Sequence, residues 1–147
     1  MVESVQRRVA EGAEGTQREG DLNALTEAVI GAAIAVHRVL GPGLLESSYQ
    51  ACLARELDEQ GIAYQSQMPL AIHYRDLVVP SAYRVDLLVA GQVIIELKAV
   101  DRLESIHEQQ LLTYLRHADL RLGLVINFNV KRLVDGIRRV VNQFDEK

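Results

Sequence analysis

Cysteine is almost absent: Cys52 stands alone among 147 residues. One cysteine makes no internal disulfide and no cysteine-built zinc site, so it reads as a small apolar residue on a helix. A basic excess is absent as well. Asp and Glu number 20 against 16 Lys and Arg, leaving a net charge of −4. A chain that grips nucleic acid along a broad surface is usually basic, so any such role here must rest on a local patch or on metal-mediated contact. No apolar run reaches the length of a membrane span, and Met1–Gly20 lacks the apolar core of a signal peptide. The expectation is no membrane contact and a cytoplasmic location. Internal repeats and low-complexity tracts are missing too. Gly41-Pro42-Gly43 has no P-loop lysine after it, and Ser47, Ser48 and Ser105 have no nucleophile-elbow context. His107-Glu108 lacks the second histidine of a zinc-protease helix, because position 111 is Leu.

What is present fits one ordinary domain. The length supports a single proper core, and 48% hydrophobic with 24% charged residues is usual for a globular chain. Residues 1–20 carry three glycines among charges and predict a mobile tail, with a short helix over Val2–Ala10. A helix is expected from about Asn23, capped by Asp21 or Asn23, to Leu40. Gly41-Pro42-Gly43 stops it, and a second helix follows to Gln60 with Gly61 as its stop. Strands are predicted over Ile62–Gln67 and Met68–Tyr74, with Arg75-Asp76 as a turn. A brief return over Leu77–Val79 should end at Pro80. After a hairpin come a third helix (Leu103–His117) and a strand (Arg121–Phe128) whose near-continuous apolar run suits a sheet interior. Lys131–Phe144 reads best as a closing strand. The order implies an α/β domain, a central sheet covered by helices.

The hairpin holds the residues that need explaining. Tyr83–Val89 and Val93–Lys98 are apolar, β-branched runs separated by Ala90-Gly91-Gln92, yet they contain Asp86, Glu96 and Lys98. Glu96 and Lys98 share one strand face. Asp86 joins them only if the loop has an odd number of residues, as a three-residue loop with Gly91 in the left-handed conformation provides. Charges on an otherwise apolar sheet are costly unless they pair or bind a metal. Hard cations such as Mg²⁺ take carboxylate oxygens, and an ammonium beside one can orient a water or stabilise negative charge. An ion-paired edge strand facing solvent explains the same three residues equally well.

Other candidates carry less alone. Glu46 sits in the first turn of the second helix, where the dipole favours a carboxylate, and Tyr49 shares its face. Gln110 and Tyr114 stack on one helix face that His107 and His117 extend. This polar stripe suits hydrogen bonding to an anionic substrate, although an exposed helix side is the commoner meaning. His37 and His73 read as structural. Lys131, Arg132, Arg138 and Arg139 could touch phosphates, but a solvated surface is the more frequent explanation.

Together these residues resemble a known family. Gly43-Leu44-Leu45-Glu46-Ser47-Ser48-Tyr49 is similar to the naming motif of the GxxExxY proteins, a branch of the PD-(D/E)XK nuclease superfamily. Asp86 with Glu96-Leu97-Lys98 resembles the superfamily's metal-binding core, and Gln110 with Tyr114 its Gln-x-x-x-Tyr motif. Leu122–Phe128 resembles its closing strand. The resemblance runs from about Asn23 to Val141; the Pro of the superfamily name is replaced by Val85. It implies a restriction-endonuclease-like core, a central mixed sheet flanked by helices, occupying residues 21–147 as a single domain. It further implies a Mg²⁺-dependent nuclease, with Mn²⁺ as a substitute, acting on DNA, with RNA left open. Asp86 and Glu96 would hold the metal with the Leu97 carbonyl, and Lys98 would activate the attacking water. Glu46 would orient that water or bind a second metal. Gln110 and Tyr114, joined by Tyr49 and His107, would position substrate. A nuclease-fold binding or assembly module without catalysis, and a hydrolase of small phosphoesters, are the competing readings. A homodimer or partner protein would supply the surface for a duplex that so small and acidic a chain lacks.

Overall fold

Glu11–Leu40 forms one 30-residue helix, α1, in the computed structural model, which describes residues 11–143 and side chains from residue 20 onward. The helix therefore starts well before the expected Asn23. Gly12, Gly15 and Gly20 each weaken a helix by about 1 kcal/mol, but the residues between them are good helix formers and carry it through. Asp21 and Asn23 lie inside it rather than capping it. The short helix expected over Val2–Ala10 lies outside the described residues. The segment Gly20–Leu40 is long and apolar enough, by length and composition, to cross a membrane, contrary to the sequence expectation. Its buried residues Leu22, Val29, Ala32, Ala33 and Val36 are part of the protein core.

Gly41 ends α1 with φ +68°, its N–H donating to the His37 carbonyl at 2.8 Å. Helix α2 follows at Glu46–Glu59, burying Tyr49, Leu53 and Leu57, which lie one turn apart. It stops as expected at Gly61, whose φ of +72° lets Ile62 N–H reach the Leu57 carbonyl at 2.9 Å.

Five strands follow in the spatial order of the sequence: β1 (Tyr64–Tyr74), β2 (Leu77–Val89), β3 (Val93–Lys98), β4 (Leu122–Asn127) and β5 (Ile137–Val141). Helix α3 (Ser105–Ala118) crosses over between β3 and β4, so those two strands are parallel while the other three pairings are antiparallel. The result is the expected α/β architecture with a mixed sheet, and β5 is the closing strand. One expectation fails: Pro80 does not end β2. The β1–β2 register slips by two residues between Leu70 and Ile72, and Pro80 falls in that irregularity, where no ladder bond is demanded of it.

Each sheet face has its own core. Val93, Ile95 and Leu97 of β3 join Leu87, Leu124 and Ile126 against α1 and α2. Ile94 joins Leu88, Val125 and Val140 against Leu111 and Leu115 of α3. The alternation along β3 thus sends Glu96, in register with Ile94, toward the α3 side.

The end of β4 is held tightly. Asn127, 1% exposed, accepts from Val100 N–H at 3.0 Å and donates to the Val100 carbonyl at 2.9 Å, fixing the chain just after Lys98. Gly136 lies so close to this point that an added Cβ would collide with the Asn127 carbonyl. Gly136→Ala should therefore cost about 1–3 kcal/mol by overpacking against backbone, read as a lower thermal midpoint. An unchanged midpoint would show that this clamp yields freely.

Candidate active site at the parting of two strands

The β2–β3 connection has the odd length that brings Asp86 opposite Glu96. Val89 pairs with Val93, Leu88 with Ile94 and Leu87 with Ile95, leaving Ala90-Gly91-Gln92 as the loop. Ala90 (φ +54°) and Gly91 (φ +67°) both adopt left-handed conformations, and Gln92 N–H donates to the Val89 carbonyl at 2.9 Å. Beyond Leu87–Ile95 the backbone ladder gives way to side chains. Asp86 N–H donates to Glu96 Oε2 at 3.0 Å, and Leu97 N–H donates to Asp86 Oδ2 at 2.7 Å. Each carboxylate thus fills a place in the other strand's hydrogen-bonding pattern.

The β1–β2 ribbon inverts at this point. Tyr64 and Leu87 pack with the α1–α2 core, whereas Met68 and Val85, of the same parity, pack with the α3 core. Gln67, which would oppose Asp86, has φ +52°. The inversion carries Tyr83 to α3, where its ring stacks on Tyr114 with centroids 4.0 Å apart. The Tyr83 hydroxyl is buried with no hydrogen-bond partner among the described residues. Burial first, and Tyr114 second, push its pKa up to about 12.

Glu96 is only 7% exposed. Burial, then the charge of Asp86, push its pKa up to about 8, against smaller opposing effects of the Asp86 N–H and Lys98. Burial and then the charges of Glu96 and Asp86 raise Tyr114, which sets this phenol within the field of the pair. Lys98 is half-buried and has no carboxylate oxygen within 4 Å among the described residues, so no ion pair consumes its charge.

The other expected residues divide. Glu46 is the exposed first residue of α2; its charge reaches Glu96 as the smallest of the effects on that group. Among the described residues no three His, Cys, Asp or Glu side chains converge as a metal cluster, so Glu46 stands near the Asp86–Glu96 pair without joining it. Gln110 is exposed on α3 one turn before Tyr114. Tyr49, expected to position substrate, is fully buried. Its hydroxyl donates to the Gly41 carbonyl at 2.6 Å and accepts from Leu44 N–H at 3.1 Å, and its ring stacks on Phe128 at 4.3 Å. It pins the loop that delivers Glu46. His107 is likewise committed to structure, its Nδ1 accepting from Glu104 N–H at 2.9 Å as part of the α3 cap. His37 is structural as expected, its Nε2 lying 2.8 Å from the Val130 carbonyl. Of the basic group, Arg138 pairs with Glu108 at 3.4 Å and Arg139 binds Asn23 at 2.6 Å, while Lys131 and Arg132 are exposed.

Sequence reasoning missed Gln67, whose Nε2 donates to Asp86 Oδ1 at 3.3 Å. It also missed Tyr83 and Asn127. A glutamine in a strand carries no signal of left-handed backbone, and Tyr83 could be placed only once the ribbon's inversion was known.

The order of elements and the carboxylate pair agree with a comparison across protein families: a model described as the PD-(D/E)XK nuclease superfamily matches residues 23–140. The chain belongs to the PD-(D/E)XK nuclease superfamily. No curated protein matches the chain. PD-(D/E)XK nucleases typically use divalent metals, and the donor chemistry of this site fits one. Asp86 and Glu96 offer hard oxygens, and burial with the like charge of Asp86 makes Glu96 resist ionisation.

Because the folded pKa of Glu96 lies above its ordinary value of 4.5, the native state holds the extra proton between about pH 4.5 and 8. The metal-free protein should be most stable at the acid end of that window and lose stability as pH rises through about 8. Glu96→Gln should remove this slope, gaining at most a few kcal/mol at pH 9 and little at pH 5, in thermal melts with EDTA. Parallel wild-type and mutant slopes would refute the assignment. Separately, Tyr49→Phe should destabilise by about 1–3 kcal/mol, because the Gly41 and Leu44 backbone groups lose their partner. Normal stability with impaired turnover would return Tyr49 to a substrate-positioning role.

Proposed function

We propose that this PD-(D/E)XK chain is a Mg²⁺-dependent nuclease of the GxxExxY branch, hydrolysing phosphodiester bonds in DNA, with Mn²⁺ as an alternative ion. The observation that carries this reading is the interlocked Asp86–Glu96 pair, with Glu96 buried and Lys98 two residues further along the same strand. Structural ion pairing would account for Asp86 and Glu96 poorly, since both are acids and Lys98 binds neither within 4 Å.

Asp86, Glu96 and the Leu97 carbonyl would hold the ion, which when bound supplies positive charge to the phosphate and lowers the pKa of water. The Lys98 ammonium, without an ion pair among the described residues, orients the attacking water and stabilises charge on the non-bridging phosphate oxygens. Water oxygen bonds to phosphorus as the water gives up a proton to bulk solvent, the phosphorus–ester oxygen bond breaks, and the departing alkoxide takes a proton from bulk solvent. Glu46, at the α2 N-terminus, orients that water. Gln110 and the Tyr114 hydroxyl hold substrate phosphate, and Tyr83 supports the Tyr114 ring from behind.

Net charge and the position of Glu46 support a second reading, a nuclease-fold binding module without catalysis. With Arg138 and Arg139 engaged inside the chain, a homodimer or partner protein would have to complete a duplex-binding surface. Cleavage of labelled linear, branched and single-stranded DNA and of RNA, in Mg²⁺, Mn²⁺ or EDTA, separates the readings. Lys98→Ala should reduce metal-dependent cleavage about 10²–10³-fold while leaving the thermal midpoint in place. Cutting of DNA should weaken with salt as phosphate contacts are lost. Full activity in Lys98→Ala would overturn its assigned role, activity indifferent to EDTA would overturn the metal-dependent mechanism, and absence of cleavage would overturn the nuclease reading. Metal binding without cutting of any nucleic acid would favour the binding module or a small phosphoester.

A further inference from the structure

We infer that Gln67 is a positioning residue for the metal ligand Asp86, an inference that rests on the reading of Asp86 as a ligand. Gln67 is the β1 residue that would oppose Asp86: Ser66 pairs with Leu87 and Met68 with Val85, and the pairing between them is missing. Its backbone is left-handed, φ +52°, a conformation that a long side chain adopts only under constraint. Unlike Gly91, it closes no hairpin loop; the register is kept across it while the ribbon inverts its faces. Along with that inversion, the conformation places one amide. Gln67 Nε2 donates to Asp86 Oδ1 at 3.3 Å and to Gln50 Oε1 at 2.9 Å. Two acceptors facing one NH₂ group fix which way the amide points.

The consequence for Asp86 is that both of its oxygens are oriented, Oδ1 by Gln67 and Oδ2 by the Leu97 N–H. One lone-pair direction on each oxygen is spent on these donors, and the other remains for a cation. Outer hydrogen bonds of this kind orient a metal ligand and tune its affinity. The Gln50 link adds a second effect. Gln50 lies on α2, the helix that begins with Glu46, so the Gln67 amide ties the element carrying Glu46 to the strand carrying Asp86. Backbone strain at a non-glycine position persists only where its surroundings impose it, and here the conformation secures both links.

The test exploits the strain. Replacing Gln67 with glycine removes the amide but frees the backbone, so stability and metal affinity should move apart. Mg²⁺ and Mn²⁺ are titrated calorimetrically into the full chain as wild type, Gln67→Gly, Gln67→Ala and Gln50→Ala, alongside thermal melts. Gln67→Gly should bind Mg²⁺ about tenfold more weakly with its thermal midpoint unchanged or raised. Its DNA cleavage should recover at saturating Mg²⁺, a deficit in apparent metal affinity rather than in kcat. Gln67→Ala should lose the same affinity and some stability, because alanine keeps the strain without the amide. Gln50→Ala leaves the Gln67 backbone untouched and should show a smaller loss of affinity. Wild-type affinity in Gln67→Gly, or a loss matched by a fall in its midpoint, would overturn the inference while leaving the ligand reading intact. Absence of Mg²⁺ and Mn²⁺ binding by the wild type would overturn both.

Discussion

A buried carboxylate at the point where two strands part is the constraint around which this molecule is arranged. Glu96 lies in the best-buried strand but one of the sheet, at 7% exposure, where a charged group is disfavoured unless something compensates for lost water. The protein compensates only in part. One N–H from Asp86 reaches it, Lys98 acts at a distance, and Asp86 adds a like charge nearby. The net effect keeps a proton on the group well into the neutral range. Such a position favours any state that brings positive charge to the pair, which is the physical basis of the proposal that it holds a cation.

The two carboxylates are also structural. Because Asp86 and Glu96 take over ladder positions from the backbone, the strands can separate without leaving Leu97 and Asp86 N–H groups unpaired. Tyr114 lies within the field of both carboxylates, and Lys98 follows two residues after Glu96 on the same strand. Binding chemistry and strand termination are therefore one feature, and substitutions at Asp86 act on the fold as well as on the site. A neutral isostere such as Gln at Glu96 retains an acceptor for Asp86 N–H, so it separates charge from scaffold more cleanly than alanine does.

The sequence made the hairpin legible, since two β-branched runs and a three-residue loop fix parity almost alone. The α3 crossover and the buried β4 strand were equally readable, because their apolar periodicities are long and unbroken. Other features depend on contacts that no local pattern announces. Gly12, Gly15 and Gly20 argue for a tail, but the helix formers between them win. Pro80 argues for a strand end, but a register slip accommodates it. Tyr49 shares a helix face with Glu46, yet the stacking of Phe128 from the far end of β4 decides that it is buried. Gln67 is the hardest case. Its left-handed backbone sits where the β1–β2 ribbon skips a pairing, and glutamine gives none of the warning that glycine or asparagine would.

The site is consequently held in two different ways. On the β3–β4 side the support is close packing: Asn127 grips the Val100 backbone, and only glycine fits at position 136 beside it. This side carries Lys98 and has no slack, so disturbance there acts on stability first. On the β1–β2 side the support is a strained residue and a few exposed hydrogen bonds through Gln67 and Gln50. Exposed amide links are individually weak, so they can be lost while the β1–β2 ladder and its packing on α3 stay in place. The rigid side fixes where the lysine stands, and the compliant side governs how Asp86 is presented. An incoming cation would meet a fixed Glu96 and an adjustable Asp86. Metal affinity can then be altered from the ribbon, at Gln67 or Gln50, with little effect on the part of the sheet that sets the position of Lys98.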